Sequence, residues 1–316
     1  MQKSVKRFLK YSLEVALLML VALVAMEAAV RAVPNAYKMK NEAMERRSRS
    51  VETLVLGNSH GYYDIMPSVL DGDGCYNLAM VSQTLEYDYR LLTRYDFSGL
   101  KRVVLVVDNS NCFDMPLDKS QEWYRCTFYR LYMGCGRHGL LSKYGFELSN
   151  VPAARKKVER YADTGRVMTD GLGWGEDYDT KEADNPRLSA EYSKDRAEKH
   201  RLRSYSDYAE NKAWLLRLTR WCKTRGVELD IVSAPVWKTY REAISPRQKA
   251  LLADAVGKAL GCGASAWLDY TADTRFGAAD FYDCDHLSHA GAEKFTKMLK
   301  LALDAQSKHC KSDTSR

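Results

Sequence analysis

Apolar residues run unbroken from Val15 to Met26. Widening the stretch to Tyr11–Val33 gives 23 residues whose only charges are Glu14, Glu27 and Arg31. At about 1.5 Å per helical residue, that length crosses a bilayer. Charges close to the ends of such a helix reach the headgroups. Lys3, Lys6, Arg7 and Lys10 precede the run, so the pattern predicts a signal-anchor over residues 1–34 with the body outside the cytoplasm. A cleaved signal peptide is the alternative, because the bare apolar run is short, but a small-residue cleavage site is not evident. Polar residues 35–51 read as a linker or short helical stalk.

Beyond residue 52 the periodicity alternates between two types. Glu52–Gly57, Cys75–Ala79, Val103–Val107 and Val227–Ala234 are short apolar runs of the kind that form strands covered on both faces. Leu85 to Tyr95, the stripe Trp214, Leu215, Leu218, Trp221 and Cys222, and the series Ala292, Phe295, Met298, Leu299, Ala302 and Leu303 have helical spacing. Strands alternating with amphipathic helices predict an α/β domain over 52–305 with a central parallel sheet, followed by a tail at 306–316. In such sheets, function gathers at the carboxyl ends of the strands. The pattern dissolves between about 112 and 210, which reads as an inserted cap. Its aromatic residues Trp123, Tyr124, Phe128, Tyr129 and Tyr132 suit either sugar stacking or core packing.

Charge alters this picture little. Residues 1–50 hold ten Lys/Arg against four Glu, so six of the seven net positive charges sit around the anchor. The body is nearly neutral, which excludes a basic nucleic-acid-binding face. Eight cysteines are scattered without a C-x-x-C pair. That rules out zinc-finger spacing and suits small buried apolar residues.

Two segments carry chemistry. Gly57-Asn58-Ser59-His60 places a serine on the turn after a strand, where its hydroxyl is exposed and its own N–H is free for an oxyanion. The plainer reading of that serine is a helix cap. In Phe281-Tyr-Asp283-Cys-Asp285-His286-Leu-Ser288-His289, Asp283 and His286 are three apart, so one turn sets the carboxylate against one ring nitrogen and leaves the other as a base. Asp283, Asp285, His286 and His289 also make a possible metal set, and Asp285 with Ser288 a possible helix cap. We expect no metal and no cofactor. His60 adjoins Ser59 and is badly placed to be its base, which leaves it a pocket or supporting role.

These blocks resemble the SGNH (GDSL) hydrolase superfamily, in the membrane-anchored branch related to the D-alanine transfer protein of teichoic acids and to alginate O-acetylation proteins. Val55-Leu-Gly-Asn-Ser-His60 stands where that superfamily has Gly-Asp-Ser, and Asp283-Cys-Asp-His286 where it has Asp-x-x-His. Tyr76–Gln83 resembles the second block, with Ser82 at the position of an oxyanion-hole glycine and with Asn77 and Gln83 as pocket or supporting residues. The third block, Gly-x-Asn-Asp, is altered to Asp108-Asn-Ser-Asn111, where Asn109 or Asn111 would supply the amide. The resemblance implies a three-layer, flavodoxin-like sandwich and a Ser59–His286–Asp283 triad. The implied oxyanion hole is built from Ser59, Ser82 and Asn109. It further implies an esterase or O-acyltransferase acting on an envelope polysaccharide or acylated polymer, with a membrane-bound O-acyltransferase as partner. The other expectation is an inactive scaffold that binds such a glycan or partner.

Overall fold

The computed structural model describes residues 2–136, 143–178 and 185–313. The chain divides into two compact units, one made of Met1–Met39 with Tyr124–Val167, the other of Lys40–Trp123 with Met168–Arg316.

The first unit is built on α1 (Gln2–Ala32), which carries the apolar run. Residues 3–32 have a mean hydropathy of 2.3 in their most apolar window, long and apolar enough to cross a membrane, and none of that window is buried against protein. The helix α2 (Ala36–Arg47) begins in this unit, with Tyr37 edge-on to Tyr129 and tilted against Phe128. Tyr129 is fully buried, so this aromatic cluster is core.

The second unit holds a five-stranded sheet in the order β2-β1-β3-β4-β5, parallel throughout. Its strands are β1 (Thr53–Leu56), β2 (Cys75–Asn77), β3 (Arg102–Val106), β4 (Glu228–Ser233) and β5 (Ala266–Asp269). Between β1 and β2 lie α3 (Ser59–Asp64) and α4 (Pro67–Leu70), and α5 (Leu85–Arg94) leads to β3. Then come α6 (Arg125–Met133) and α7 (Val151–Thr164) of the first unit, followed by α8 (Ala190–Lys199) and α9 (Tyr205–Thr224). After β4, α10 (Lys238–Ala243) and α11 (Pro246–Cys262) precede β5, and α12 (His289–Asp313) closes the chain.

Alternate strand residues explain the continuous apolar runs. Val55, Val104, Val106 and Val232 pack with Phe295 and Leu299 of α12. Their neighbours Leu54, Leu56, Val103, Leu105 and Ile231 are equally buried, so both faces of the sheet are covered. Cys75, Cys112, Cys222 and Cys284 are buried.

Three expected boundaries change. Residues 35–51 are not a spacer: Lys40 and Met44 of α2 are fully buried, and the Lys40 ammonium donates to Ala79 O at 2.5 Å and sits 4.4 Å over the Tyr62 ring. The 112–210 insertion is not one cap, because 124–167 joins α1 while 168–210 joins the sheet unit. The expected tail at 306–316 continues α12 through Asp313, and 314–316 lie outside the described residues. The pattern also passed over α11 and β5. Ser245, whose hydroxyl accepts the N–H of Gln248, then Pro246 and the closing Gly263 mark α11 in the sequence. Four residues of half-exposed edge strand give no such signal.

Close packing at the sheet's carboxyl edge depends on glycine. A Cβ at Gly291, in the first turn of α12, would lie 1.9 Å from Asp280 O. Gly291→Ala is therefore expected to cost at least about 2 kcal/mol in chemical denaturation. Gly257→Ala, where a Cβ meets nothing within 4 Å in mid-α11, is expected to gain about 0.5–1 kcal/mol.

Candidate active site

The strand order reverses direction between β1 and β3, which opens a crevice at the carboxyl ends of those strands. Residues after β1 and β3 therefore face each other there. Gly57 makes the turn after β1 with φ +131°, and a Cβ on it would meet the Val106 side chain at 2.8 Å. Its N–H donates to Asp88 Oδ1 at 2.8 Å. Asn58 then caps α3 by accepting the N–H of His60 at 3.0 Å. Ser59 is thus the first residue of a helix whose cap is its neighbour, not itself, and its hydroxyl is left available.

That hydroxyl donates to His286 Nε2 at 2.8 Å, between residues 227 positions apart in sequence. His286 Nδ1 lies 3.0 and 3.2 Å from the two carboxylate oxygens of Asp283. Asp283 Oδ1 also accepts the backbone N–H groups of Asp285 and His286, at 3.1 and 2.8 Å. The three-residue spacing is therefore an Asx-type turn that locks carboxylate and ring together. With the proton on Nδ1 toward Asp283, Nε2 is the nitrogen that faces the serine hydroxyl.

Around this array lies a buried charge network. His60 Nδ1 is 2.5 Å from Asp108 Oδ2, and its Nε2 is 3.6 Å from Asp285 Oδ2. Arg196 Nε lies 2.9 Å from both Asp285 oxygens. Burial pushes Asp108 up, but the His60 imidazolium outweighs this and holds the carboxyl down at about 2. Burial likewise raises Asp285, yet His286, His60 and Arg196 hold it well below the carboxylate range. His60, which burial alone would neutralise, is kept protonated well above the usual imidazole range by Asp108 and Asp285. Asp64 differs: burial lifts it to about 7 against the pull of His60 and His286. One of its oxygens accepts the Leu287 N–H at 3.0 Å, and the other has no hydrogen-bond partner among the described residues.

Tyrosines pile over the histidine. Tyr63 stacks on Tyr178 with ring centres 3.7 Å apart, and Tyr178 on Tyr282 at 4.0 Å. The His286 ring stands edge-on to Tyr178 at 5.1 Å and tilts against His60 at 4.7 Å. Beyond His60 and Asp108 lies a cavity of about 180 Å³, walled by Ile244, Leu252 and Trp267 with Arg241 and Lys249.

The other expected site residues sort themselves as follows. Ser82 has φ +58°, the only non-glycine residue in left-handed backbone among those described. Its loop lies beside the Ser59 turn, because the Met80 N–H donates to Gly57 O at 3.2 Å. Asn109 lines the cavity with His60 and Asp108, and its Oδ1 is buried with no hydrogen-bond partner among the described residues. Asn111 is consumed by backbone bonds, Nδ2 to Val106 O at 2.7 Å and Oδ1 from the Asp108 N–H at 3.1 Å. Asn77 and Gln83 lie behind the Ser59 turn and support it. Asn77 is fully buried and donates to Gly61 O and Ile65 O, while Gln83 donates to Asp88. Ser288 caps α12, accepting the Gly291 N–H at 3.2 Å, but Asp285 does not cap it.

His60, Asp285 and His286 offer donors within 4.8 Å of one another. They suit a cation poorly, since Arg196 occupies both Asp285 oxygens and the Ser59 hydroxyl takes His286 Nε2. Sequence reasoning missed Asp64, Arg196 and Tyr178. Arg196 lies in a charged stretch that reads as solvated surface, so nothing local marks it.

No protein-family model matches the chain, and no curated protein matches it.

Asp88, beneath the Gly57 turn, gives a pH test of this buried charge. Burial lifts its carboxyl to about 7, and Gln83 and the Gly57 N–H only partly offset this. The folded state then keeps a proton that the unfolded chain releases near pH 4. Its stabilising effect is full below that pH and is lost as pH rises through about 7. Asp64 and Asp114, both lifted to about 7 by burial, act in the same direction. Stability by urea denaturation is expected to fall between pH 5 and pH 7, and Asp88→Asn to flatten the fall by about 1 kcal/mol per pH unit. An unchanged slope would refute the assignment.

Proposed function

We propose that this chain is a serine esterase or O-acyltransferase of the SGNH type, tethered to a membrane by α1 with its body outside the cytoplasm. The observation that carries the proposal is the Ser59–His286–Asp283 array, brought together from the two ends of the sheet unit at 2.8 and 3.0 Å. The strand order 2-1-3-4-5 supports the three-layer arrangement of that superfamily.

In this reading His286 removes the Ser59 proton as Oγ attacks an ester carbonyl, and Asp283 steadies the imidazolium that forms. The oxyanion is held by the Ser59 N–H and by the Ser82 N–H, for which the left-handed backbone at Ser82 is the supporting sign. Asn109, which lines the cavity beside His60 and Asp108, would be the remaining donor through its amide nitrogen. His286 then hands its proton to the departing alkoxide. Water or a glycan hydroxyl takes the acyl group from Ser59 in the second half. The membrane tether favours an envelope polymer as substrate or acceptor, and a membrane-bound O-acyltransferase as the source of acyl groups. An inactive glycan-binding scaffold would have no need of a serine aimed at an oriented imidazole.

Ser59→Ala is expected to lower hydrolysis of short acyl esters by at least about 10⁴-fold while shifting stability by no more than about 1 kcal/mol. Covalent capture by a fluorophosphonate should vanish with it. Asp283→Asn should lose less activity than His286→Ala, and Ser59→Ala/His286→Ala should be no worse than Ser59→Ala alone. Equal, slow turnover by wild type and Ser59→Ala, with neither labelled, would leave the binding scaffold as the better account.

A further inference from the structure

The charge-free part of α1, Val15–Met26, is 12 residues long. At about 1.5 Å per residue it covers about 18 Å, well short of a hydrocarbon core about 30 Å thick. Turns on either side must cover the rest, which sets Glu27 and Arg31 at the edge of the core. A carboxylate there is costly unless it is paired. Glu27 is paired three ways: Arg31 Nε lies at 2.6 Å, and the N–H groups of Glu147 and Leu148 donate to it at 2.9 and 3.0 Å. Arg31 in turn donates to Gly145 O at 2.7 Å, and Lys157 Nζ to Val30 O at 2.7 Å. The segment from Gly145 to Lys157 is therefore held at the level of the last turn of α1.

That segment exposes apolar side chains. Phe146 is 46% exposed, Val151 59% and Val158 37%, whereas Ala154 on the inner side of α7 is buried. Val151, Val158 and the exposed Ala162 stand seven and eleven residues apart, one stripe along the helix. Arg155 borders the stripe and pairs with Glu159 at 2.6 Å, while the exposed Lys156 and Arg160 lie on the opposite face of the helix. An apolar stripe with basic residues on the opposite, polar face is the pattern of a helix lying in a membrane interface. We infer that Phe146 and the Val151/Val158 face of α7 are seated in the outer interface of the bilayer that α1 crosses, with the basic residues against anionic phospholipid headgroups. The chain would then grip the bilayer by a span and a lateral foot, joined through Glu27. This inference rests on α1 crossing the membrane.

The test uses the full chain with Cys262→Ser and Cys310→Ser, reconstituted in vesicles of phosphatidylethanolamine and phosphatidylglycerol. An NBD fluorophore is attached in turn at Phe146→Cys, Val151→Cys, Val158→Cys, Lys156→Cys and Leu20→Cys. We expect blue-shifted emission at 146, 151 and 158, quenched by lipids spin-labelled near the headgroup. Lys156→Cys should stay water-like, and Leu20→Cys should be quenched by lipids spin-labelled at mid-chain. If Leu20 is quenched while 146, 151 and 158 emit as in water, the span holds and the foot is wrong. If Leu20 also emits as in water, the span fails and the foot with it.

Discussion

Four carboxylates, those of Asp64, Asp108, Asp283 and Asp285, are buried at one edge of the sheet, and their neutralisation orders everything near them. Transfer of a lone carboxylate out of water is prohibitive, so each must find a cation, an N–H donor or a proton. Asp108 and Asp285 share the His60 imidazolium, and Asp285 also takes Arg196 from α8. Asp283 takes two backbone N–H groups and the His286 ring. Asp64, left with one N–H donor, is lifted to about 7 by its burial. Removing one partner of such a set strands the others, which makes the network expensive to disturb and geometrically definite.

The same network explains why Ser59 and His286 meet. His60 is the residue after Ser59, and Asp285 the residue before His286. The ion pairs across them draw the turn after β1 against the loop before α12. The site is thus held by two adjacent layers of polar contact, the serine–histidine–aspartate row and the row of opposite charges behind it. The tyrosine stack on the other side of His286 limits the ring's freedom and its access to water. In the proposed reaction, this lets the ring alternate between neutral and charged forms without leaving its partners.

Burying polar groups is handled the same way elsewhere in the chain. Glu27 and Glu147 are satisfied by backbone N–H groups, Arg31 and Lys157, so the first unit is also built around compensated charge. Lys40 is fully buried over an aromatic ring with a carbonyl partner, and burial holds its ammonium well below the usual lysine range.

Residue pattern by itself determined the apolar span, four of the five strands, helical stripes at 85–95, 214–222 and 292–303, and the spacing that sets Asp283 beside His286. These are local properties: a run of β-branched residues, a 3.6-residue stripe, a carboxylate three positions from a ring. It also offered Ser59 as a candidate, although a serine after Gly-Asn reads more plainly as a helix cap until the Asp283/His286 spacing is set beside it. Only tertiary structure decided that Asp108, Arg196 and Asp285 are one charge network, since no local rule relates positions 108, 196 and 285. Nor could pattern show that Asn77 and Asn111 are spent on backbone groups and Gln83 on Asp88, or that 35–51 packs instead of spacing. A side chain's partner across a sheet edge depends on which loops converge there, and strand order sets that convergence.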